Sequence, residues 1–418
     1  MSDTITSLLR IILARQIKPF VFENKKNYKI NYDQKNLGIY VHIPFCKKIC
    51  DFCPYSKIIY EKNIAQDYFK ALIKEIEIKG KNFNSKKEVT SVYFGGGSPA
   101  LAGEFLKEIL NKIKEYFIIK ENIGIELHPE NINEENLKII KNAGFDMVSI
   151  GIQSFNKKSL ENLGRNHMNS QALIKQVQKH NFKSIDIDLI FGIPNQTAED
   201  LKNDFVTAVK NGATQISTYP FIDFSYAKNK NKPQGKKEKK KMLDMLSSIS
   251  KDFGFERQSI WTFKKTGTPT YSSITRDNFI GFGASATTLL KDVFFIKTFS
   301  VNEYIKSLEK EEIPISLTMN FNERTRTLYW LFWSCYNIQI DKNNFFELFD
   351  KEIEILFSFE LKLANKLKLI QKNGKGYSLT DKGIYYFHEI EQKYTHQYID
   401  KTWKIAQKQA YPKKINLY

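Results

Sequence analysis

Three of the four cysteines, Cys46, Cys50 and Cys53, fall on one short stretch in a C-x3-C-x2-C spacing. Three thiolates on one loop can hold three irons of a cubic [4Fe–4S] cluster. The fourth iron then has no cysteine nearby in the sequence. By analogy with zinc, an open coordination position separates catalytic metal sites from closed structural ones. Cysteines clustered this way argue against a disulfide framework and for free thiolates in a reducing, cytoplasmic compartment.

The chain has 418 residues, 42% of them hydrophobic, with 32 Phe and 21 Tyr, which excludes a disordered protein. Its formal charge is +18, from 64 Lys and Arg against 46 Asp and Glu. A field of that sign favours anionic ligands. The lysines, however, are scattered among Asn and Ile, as biased composition would leave them. Between Ala227 and Lys241 lysines crowd together with no aromatic residue among them for base stacking. That window reads as a solvated loop leading into a helix near Lys236, and nucleic acid is not an expected partner. No apolar run reaches the roughly 18 residues that span a bilayer. Near the N-terminus Arg10, Arg15 and Lys18 interrupt the apolar stretch, unlike a signal peptide. Ile5, Leu8, Leu9 and Ile12 share one helical face, which predicts core packing.

From residue 38 on, short β-branched runs alternate with longer amphipathic ones. Strands are expected at Gly38 to Pro44, Val89 to Gly95, Asn122 to Pro129, Met147 to Ser154, Ser184 to Gly192 and Gln215 to Phe221. Helices are expected at Lys62 to Lys79, Glu104 to Tyr116, Glu134 to Ala143, up to His180, and Ala198 to Val209. The alternation predicts an α/β fold, a partial (β/α)6 barrel of parallel strands with helices outside. Beyond Asn320 helices and a hairpin around Asn373-Gly374 suggest a C-terminal helical, winged-helix-like domain, expected to pack on the barrel rather than bind DNA. The expected divisions are an arm (1–37), a barrel with a substrate-side extension (38–300) and the C-terminal domain (315–418).

Polar or glycine-rich sequence ends every one of the six strands. The first runs into the cysteine loop, the second into Gly95-Gly96-Gly97-Ser98-Pro99, the third into Glu126-Leu127-His128-Pro129. The fourth ends at Gln153-Ser154, the fifth carries Asp186 and Asp188, and the sixth carries Tyr219-Pro220. Parallel barrels build active sites from such ends, at one mouth. Taken singly, each marker has an ordinary explanation. Three glycines can make a tight turn. Glu126 can be a solvated carboxylate, Arg165 a surface arginine and His42 a satisfied core histidine. Asp188, in an apolar strand, needs a partner, for which a Lys or Arg would serve. A shared rim makes a single large site the better reading.

Tyr40-x-His42-Ile-Pro-Phe followed by Cys46-x3-Cys50-x2-Cys53 resembles the cluster motif of radical S-adenosylmethionine (SAM) enzymes. Gly95 to Pro99, Ser149-Ile-Gly-Ile-Gln153, Leu163-Gly-Arg165 and Asp188-Leu-Ile-Phe-Gly-Ile-Pro194 follow in the order of the oxygen-independent coproporphyrinogen III oxidase branch. Phe279-Ile-Gly281-Phe-Gly283-Ala-Ser285 resembles a later glycine motif of that branch. The resemblance implies a [4Fe–4S] cluster on Cys46, Cys50 and Cys53, with SAM on the open iron. It implies SAM contacts from Gly95, Gly96, Gly97 and Ser98, from Glu126, from Arg165 to the carboxylate, and from Gln153 and Asp188 to the ribose. Tyr40 and His42 would lie near the cluster as the catalytic or substrate-side pair. The implied activity is oxidoreduction, with an electron donor such as flavodoxin or ferredoxin and a small-molecule substrate, a porphyrinogen or another carboxylate-bearing molecule.

The chain also departs from that pattern. Pro54-Tyr55-Ser56 holds none of the extra cysteine usual beyond the third ligand, Met147 replaces a common arginine, and Ser98 a common threonine. Relatives of this branch that deliver haem, C-methylate or form cyclopropanes are therefore alternatives. Gln258 to Phe263 and Tyr271 to Arg276 are expected to face the substrate.

Overall fold

The computed structural model describes residues 2–25, 31–32, 34–229, 231–271 and 277–418. The apolar runs form strands because both of their faces are covered, as in parallel sheets generally. These are β1 (Leu37–Ile43), β2 (Val92–Gly96), β3 (Ile123–Leu127), β4 (Met147–Gln153), β5 (Ser184–Phe191) and β6 (Gln215–Pro220). All five neighbouring pairs run parallel, in sequence order. The helices between them turn one apolar face inward. In Lys62–Gly80, for example, Tyr68, Phe69, Leu72 and Ile76 are buried. Glu134–Ala143 begins where the Asn133 side chain accepts from Asn136 N and stops at Gly144, which has a φ of 106°.

The sheet is larger than six strands. Asn278–Phe282 lies parallel beside β1, pairing Ile280 with Ile39. Antiparallel strands then extend that edge, ending with Ile315–Asn320, Phe20–Glu23 and Lys414–Leu417. Thr262–Lys265 and Phe255–Arg257 extend the other edge beyond β6, giving 14 strands in one open sheet. The architecture is thus an unclosed parallel barrel of α/β type, with a helical region after it. In that region Gln339–Asp341, Gly376–Leu379 and Ile370–Asn373 form a three-stranded antiparallel sheet. The hairpin turn is Gly374-Lys375, since Asn373 pairs with Gly376. Helix Glu323–Tyr336 is fastened to the barrel by Arg326, which donates to Leu290 O at 3.2 Å and to Asn278 Oδ1 at 3.2 Å.

Behind β1 sits a fully buried ionic cluster. Glu75 Oε1 lies 2.6 Å from Lys79 Nζ and 2.5 Å from Lys297 Nζ, with all three side chains at 0–1% exposure. Its Oε2 accepts from Tyr304 Oη at 2.6 Å and Gly283 N at 2.8 Å.

Two local expectations change. Helix Ser2–Ala14 forms, but Leu8 is 56% and Ile12 49% exposed. Arg10 is turned inward instead, donating to Lys18 O at 2.5 Å and Ile17 O at 3.3 Å. The side chain of Ile5 lies outside the described residues. In the lysine-rich window, Lys239 is buried rather than solvated, held by Gln392 Oε1 at 2.6 Å and Phe221 O at 3.3 Å. Among the described residues, no helix is long and apolar enough to cross a membrane.

Candidate functional site

In β3, β5 and β6 one position each escapes full burial amid buried neighbours before the strand ends: Glu126, Asp188 and Tyr219. All three line one cavity of about 610 Å³. Cys46, Cys50, Cys53, Gly96, Gly97, Gln153 and Arg165 line it too. The strand ends therefore do converge.

The cysteine loop hangs from β1. Phe45–Cys46 pairs with Ile58–Ile59, so the chain closes on itself around the thiols. Tyr60 N donates to Cys46 O at 2.9 Å and Lys57 Nζ to Cys53 O at 2.6 Å. The three cysteines are free and half-buried. Burial, with Cys53 as a neighbouring negative charge, pushes the Cys46 thiol up to about 12, against the Ser98 hydroxyl.

Tyr40 and His42 stand beneath that loop as a connected pair. A carbonyl only accepts, so His42 Nε2 carries the proton it gives to Ser56 O at 3.0 Å. Nδ1 is then the acceptor for Tyr40 Oη, also at 3.0 Å. Burial holds the ring neutral, its pKa drawn down to about 4. Neither residue lines the cavity wall; Tyr40 stacks on Tyr93, which does, with ring centroids 6.1 Å apart.

The glycines let the backbone pass close. A β-carbon on Gly97 would stand 2.5 Å from Phe45 O, and one on Gly96 would overlap the His42 ring. Gly96 also has a φ of 112°. A Gly96→Ala chain is therefore expected to lose about 2–4 kcal/mol of stability, read from the urea midpoint, because strain and overlap add. An unchanged midpoint would refute that account. The Gly96 N–H meanwhile donates to Glu126 Oε2 at 2.9 Å, and Tyr93 Oη to Oε1 at 2.8 Å.

Glu126, Asp186 and Asp188 share a low-dielectric floor. Asp188 accepts from Ser149 Oγ at 2.9 Å, so a hydroxyl fills the place expected of a Lys or Arg. Burial pushes its carboxyl far up, reinforced by the charges of Asp186 and Glu126; Ser149 and Arg165 oppose. Asp186 rises to about 7 for the same first reason, although Gln215 Nε2 at 2.9 Å and Ser217 Oγ at 2.8 Å serve its Oδ2. Glu126 is raised by burial too. A cationic or hydroxyl-rich ligand would relieve all three. Gln153 ends β4 with a φ of 72°, just past an extra residue in β4 relative to β5. Arg165 donates to Gly151 O and, through Nε, to Cys50 Sγ at 3.4 Å, joining the cysteine loop to the mouth of β4.

Gln258, Trp261 and Tyr271, from the two stretches expected to face the substrate, line the cavity, and residues without an expected role complete the wall. Tyr93 and Ser149 lie on it, as do Trp333, Tyr336, Glu391 and Trp403 from the C-terminal region. Tyr55, in the stretch that departs from the usual motif, packs on Trp403 with ring centroids 6.1 Å apart. The register of neighbouring strands could have found Ser149, which pairs with Glu126 and with Asp186. Arg276 lies outside the described residues.

Comparison with known proteins agrees with this geometry. Residues 40–206 match the family model described as the Radical SAM superfamily. The heme chaperone HemW of Bacillus subtilis is 25% identical over 370 residues, 84% of this chain and 97% of its own length. The oxygen-independent coproporphyrinogen III oxidase of Synechocystis is 26% identical over 332 residues, 72% of this chain and 71% of its own. The solved structure of coproporphyrinogen III oxidase (HemN) from Escherichia coli superposes with a TM-score of 0.76 at 21% identity, covering 92% of this chain and 98% of that one. Residues 40–206 thus match a radical SAM domain, in a chain that is similar over most of its length to proteins named heme chaperone and oxygen-independent coproporphyrinogen III oxidase and shares the fold of the latter.

Proposed function

We propose that the cavity carries out radical SAM chemistry on a tetrapyrrole-type substrate. The observation that carries this is the convergence of three free thiols and three carboxyl groups on one chamber of about 610 Å³. The donor set fits a cluster. Among the described residues no three His, Cys, Asp or Glu side chains converge on a single ion, whereas a cubic cluster takes one thiolate per iron. The carboxylate floor fits SAM, whose ammonium and sulfonium are cationic and whose ribose offers a diol to acceptors.

Cys46, Cys50 and Cys53 would hold the cluster, and Gly95, Gly96, Gly97 and Ser98 would let the backbone approach the methionyl amino group. Glu126 would accept from the ligand, Arg165 would pair its carboxylate, and Gln153 and Asp188 would hold the ribose. Held there, a reduced cluster would supply one-electron reduction of the SAM sulfonium, chemistry that yields methionine and a hydrogen-abstracting 5′-deoxyadenosyl radical. Tyr40 and His42 fix the loop through Ser56 and keep a neutral, hydrogen-bonded layer under it. The 38–300 region would form the barrel, and the 315–418 region would close it over the substrate. An electron donor of the flavodoxin or ferredoxin kind would supply reduction.

The test is anaerobic incubation of the reconstituted chain with SAM and coproporphyrinogen III. The expected result is 5′-deoxyadenosine together with decarboxylated, vinyl-bearing product. No 5′-deoxyadenosine from a fully assembled cluster refutes the radical reading. A second reading, binding and delivery of haem, is favoured by the relatives named heme chaperone and by the absence of a cysteine in Pro54-Tyr55-Ser56. It predicts a shifted haem Soret band and no vinyl product. S-adenosylhomocysteine beside 5′-deoxyadenosine would instead mark methyl transfer.

A further inference from the structure

The C-terminal helices bring one carboxylate to the chamber. Glu391 sits near the end of helix Asp381–Tyr394, just before a π-helical turn over Thr395–Ile399. π-helical turns are uncommon and recur at functional sites. Glu391, Thr395 and Ile399 all line the cavity.

Glu391 is only 6% exposed. Its Oε1 accepts from Thr395 Oγ1 at 2.8 Å. Its Oε2 is buried and has no partner among the described residues. Lys239 favours the charged carboxylate through space, but its hydrogen bonds go to Gln392 Oε1 and Phe221 O. A buried acceptor left unmet costs stability, so an orphan of this kind calls for a reason. Here Glu391 stands in the wall of a chamber whose C-terminal side also carries large aromatic rings, among them Trp333, Tyr336 and Trp403. Those rings suit a broad apolar ligand. An unmet acceptor beside those rings suits one that also brings a donor.

We propose that Glu391 is a specificity-determining residue that accepts ring N–H groups of the substrate, while the surrounding aromatic wall takes its apolar faces. This rests on the reading that the substrate is pyrrolic, and it assigns which feature of a pyrrole is recognised and by which atom. Burial pushes the carboxyl up to about 7, so near neutrality an N–H donor at Oε2 would draw it into the ionised, acceptor-only form.

The test uses two probes of nearly equal shape, dipyrromethane and difurylmethane, the second with ring oxygens in place of N–H groups. Binding to the reconstituted full chain is read by quenching of tryptophan fluorescence. The wild-type chain is expected to prefer dipyrromethane by about tenfold or more, and Glu391→Gln to lose that preference while keeping its affinity for SAM. Thr395→Val, which leaves the carboxylate in place, keeps the preference. Equal binding of the two probes by the wild-type chain overturns the proposal whether or not the Gln variant folds. So does an undiminished preference in Glu391→Gln. Neither result depends on turnover, so a chain that prefers dipyrromethane yet makes no product from coproporphyrinogen III refutes the proposed reaction and leaves this recognition standing.

Discussion

A Cys50→Ala chain reconstituted anaerobically with iron and sulfide is expected to retain background iron and to cleave no SAM. The wild-type chain is expected to take up about four irons. On the proposed ligation each of three irons would take one thiolate, so loss of any of the three would leave an iron without a protein ligand. The apo loop also gains from metal. Burial and the neighbouring Cys53 push the Cys46 thiol up to about 12, a penalty that a cationic centre would remove. Cys335 is the internal control. It is the one cysteine outside the loop, on helix Glu323–Tyr336, and does not line the chamber. Cys335→Ala should keep its iron. Cys50 is half-buried and its thiol accepts a hydrogen bond from Arg165 Nε, so the unfolding midpoint of Cys50→Ala should move by no more than about 0.5 kcal/mol. Full iron content in Cys50→Ala, or its loss in Cys335→Ala, would overturn the ligand assignment.

How much of this was legible in the sequence follows from where the determining contacts lie. The six parallel strands were readable because each is a β-branched run buried on both faces. Helix Glu134–Ala143 was readable to the residue because Asn133 and Gly144 bracket it. The carboxylates at the rim were readable for the opposite reason, since Glu126 and Asp188 interrupt otherwise apolar strands. Asn278–Phe282 reads as a glycine motif, and nothing local says that it pairs beside β1. The edge formed by Phe20–Glu23 and Lys414–Leu417 joins the two ends of the chain, a pairing that short segments cannot announce. The N-terminal helix misled because one arginine, Arg10, satisfies three carbonyls and so outweighs the apolar stripe. Glu391, Trp403 and Tyr55 belong to the chamber only because distant helices fold over it, so their part could not be read from spacing.

Of all single changes in the fold, Glu75→Gln is expected to destabilise most, by about 3–5 kcal/mol in urea unfolding, whereas Lys79→Met should cost about 1 kcal/mol or less. Removing the carboxylate leaves two fully buried ammonium groups facing each other with no counter-charge. Removing Lys79 instead leaves Glu75 matched one to one by Lys297, and a methionine fills the space. The pH dependence gives a second check. Burial pushes the Glu75 carboxyl up, but the charges of Lys297 and Lys79 outweigh it and hold the pKa down at about 2, against an ordinary 4.5. A lowered folded-state pKa means stability that is fully present above pH 4.5 and drains away as pH falls toward 2, about 3 kcal/mol in all. The wild-type midpoint should therefore fall more steeply than that of Glu75→Gln on going from pH 5 to pH 3, and parallel slopes would exclude the ion cluster as the cause. The consequence reaches the site. Gly283 N and Tyr304 Oη both rest on Glu75 Oε2, while Tyr68 Oη donates to His42 O at 2.7 Å and accepts from Ala284 N at 3.0 Å. The buried charges thus brace the strand from which the cysteine loop hangs, so Glu75→Gln should also weaken iron retention under conditions where the chain is still folded, and Lys79→Met should not.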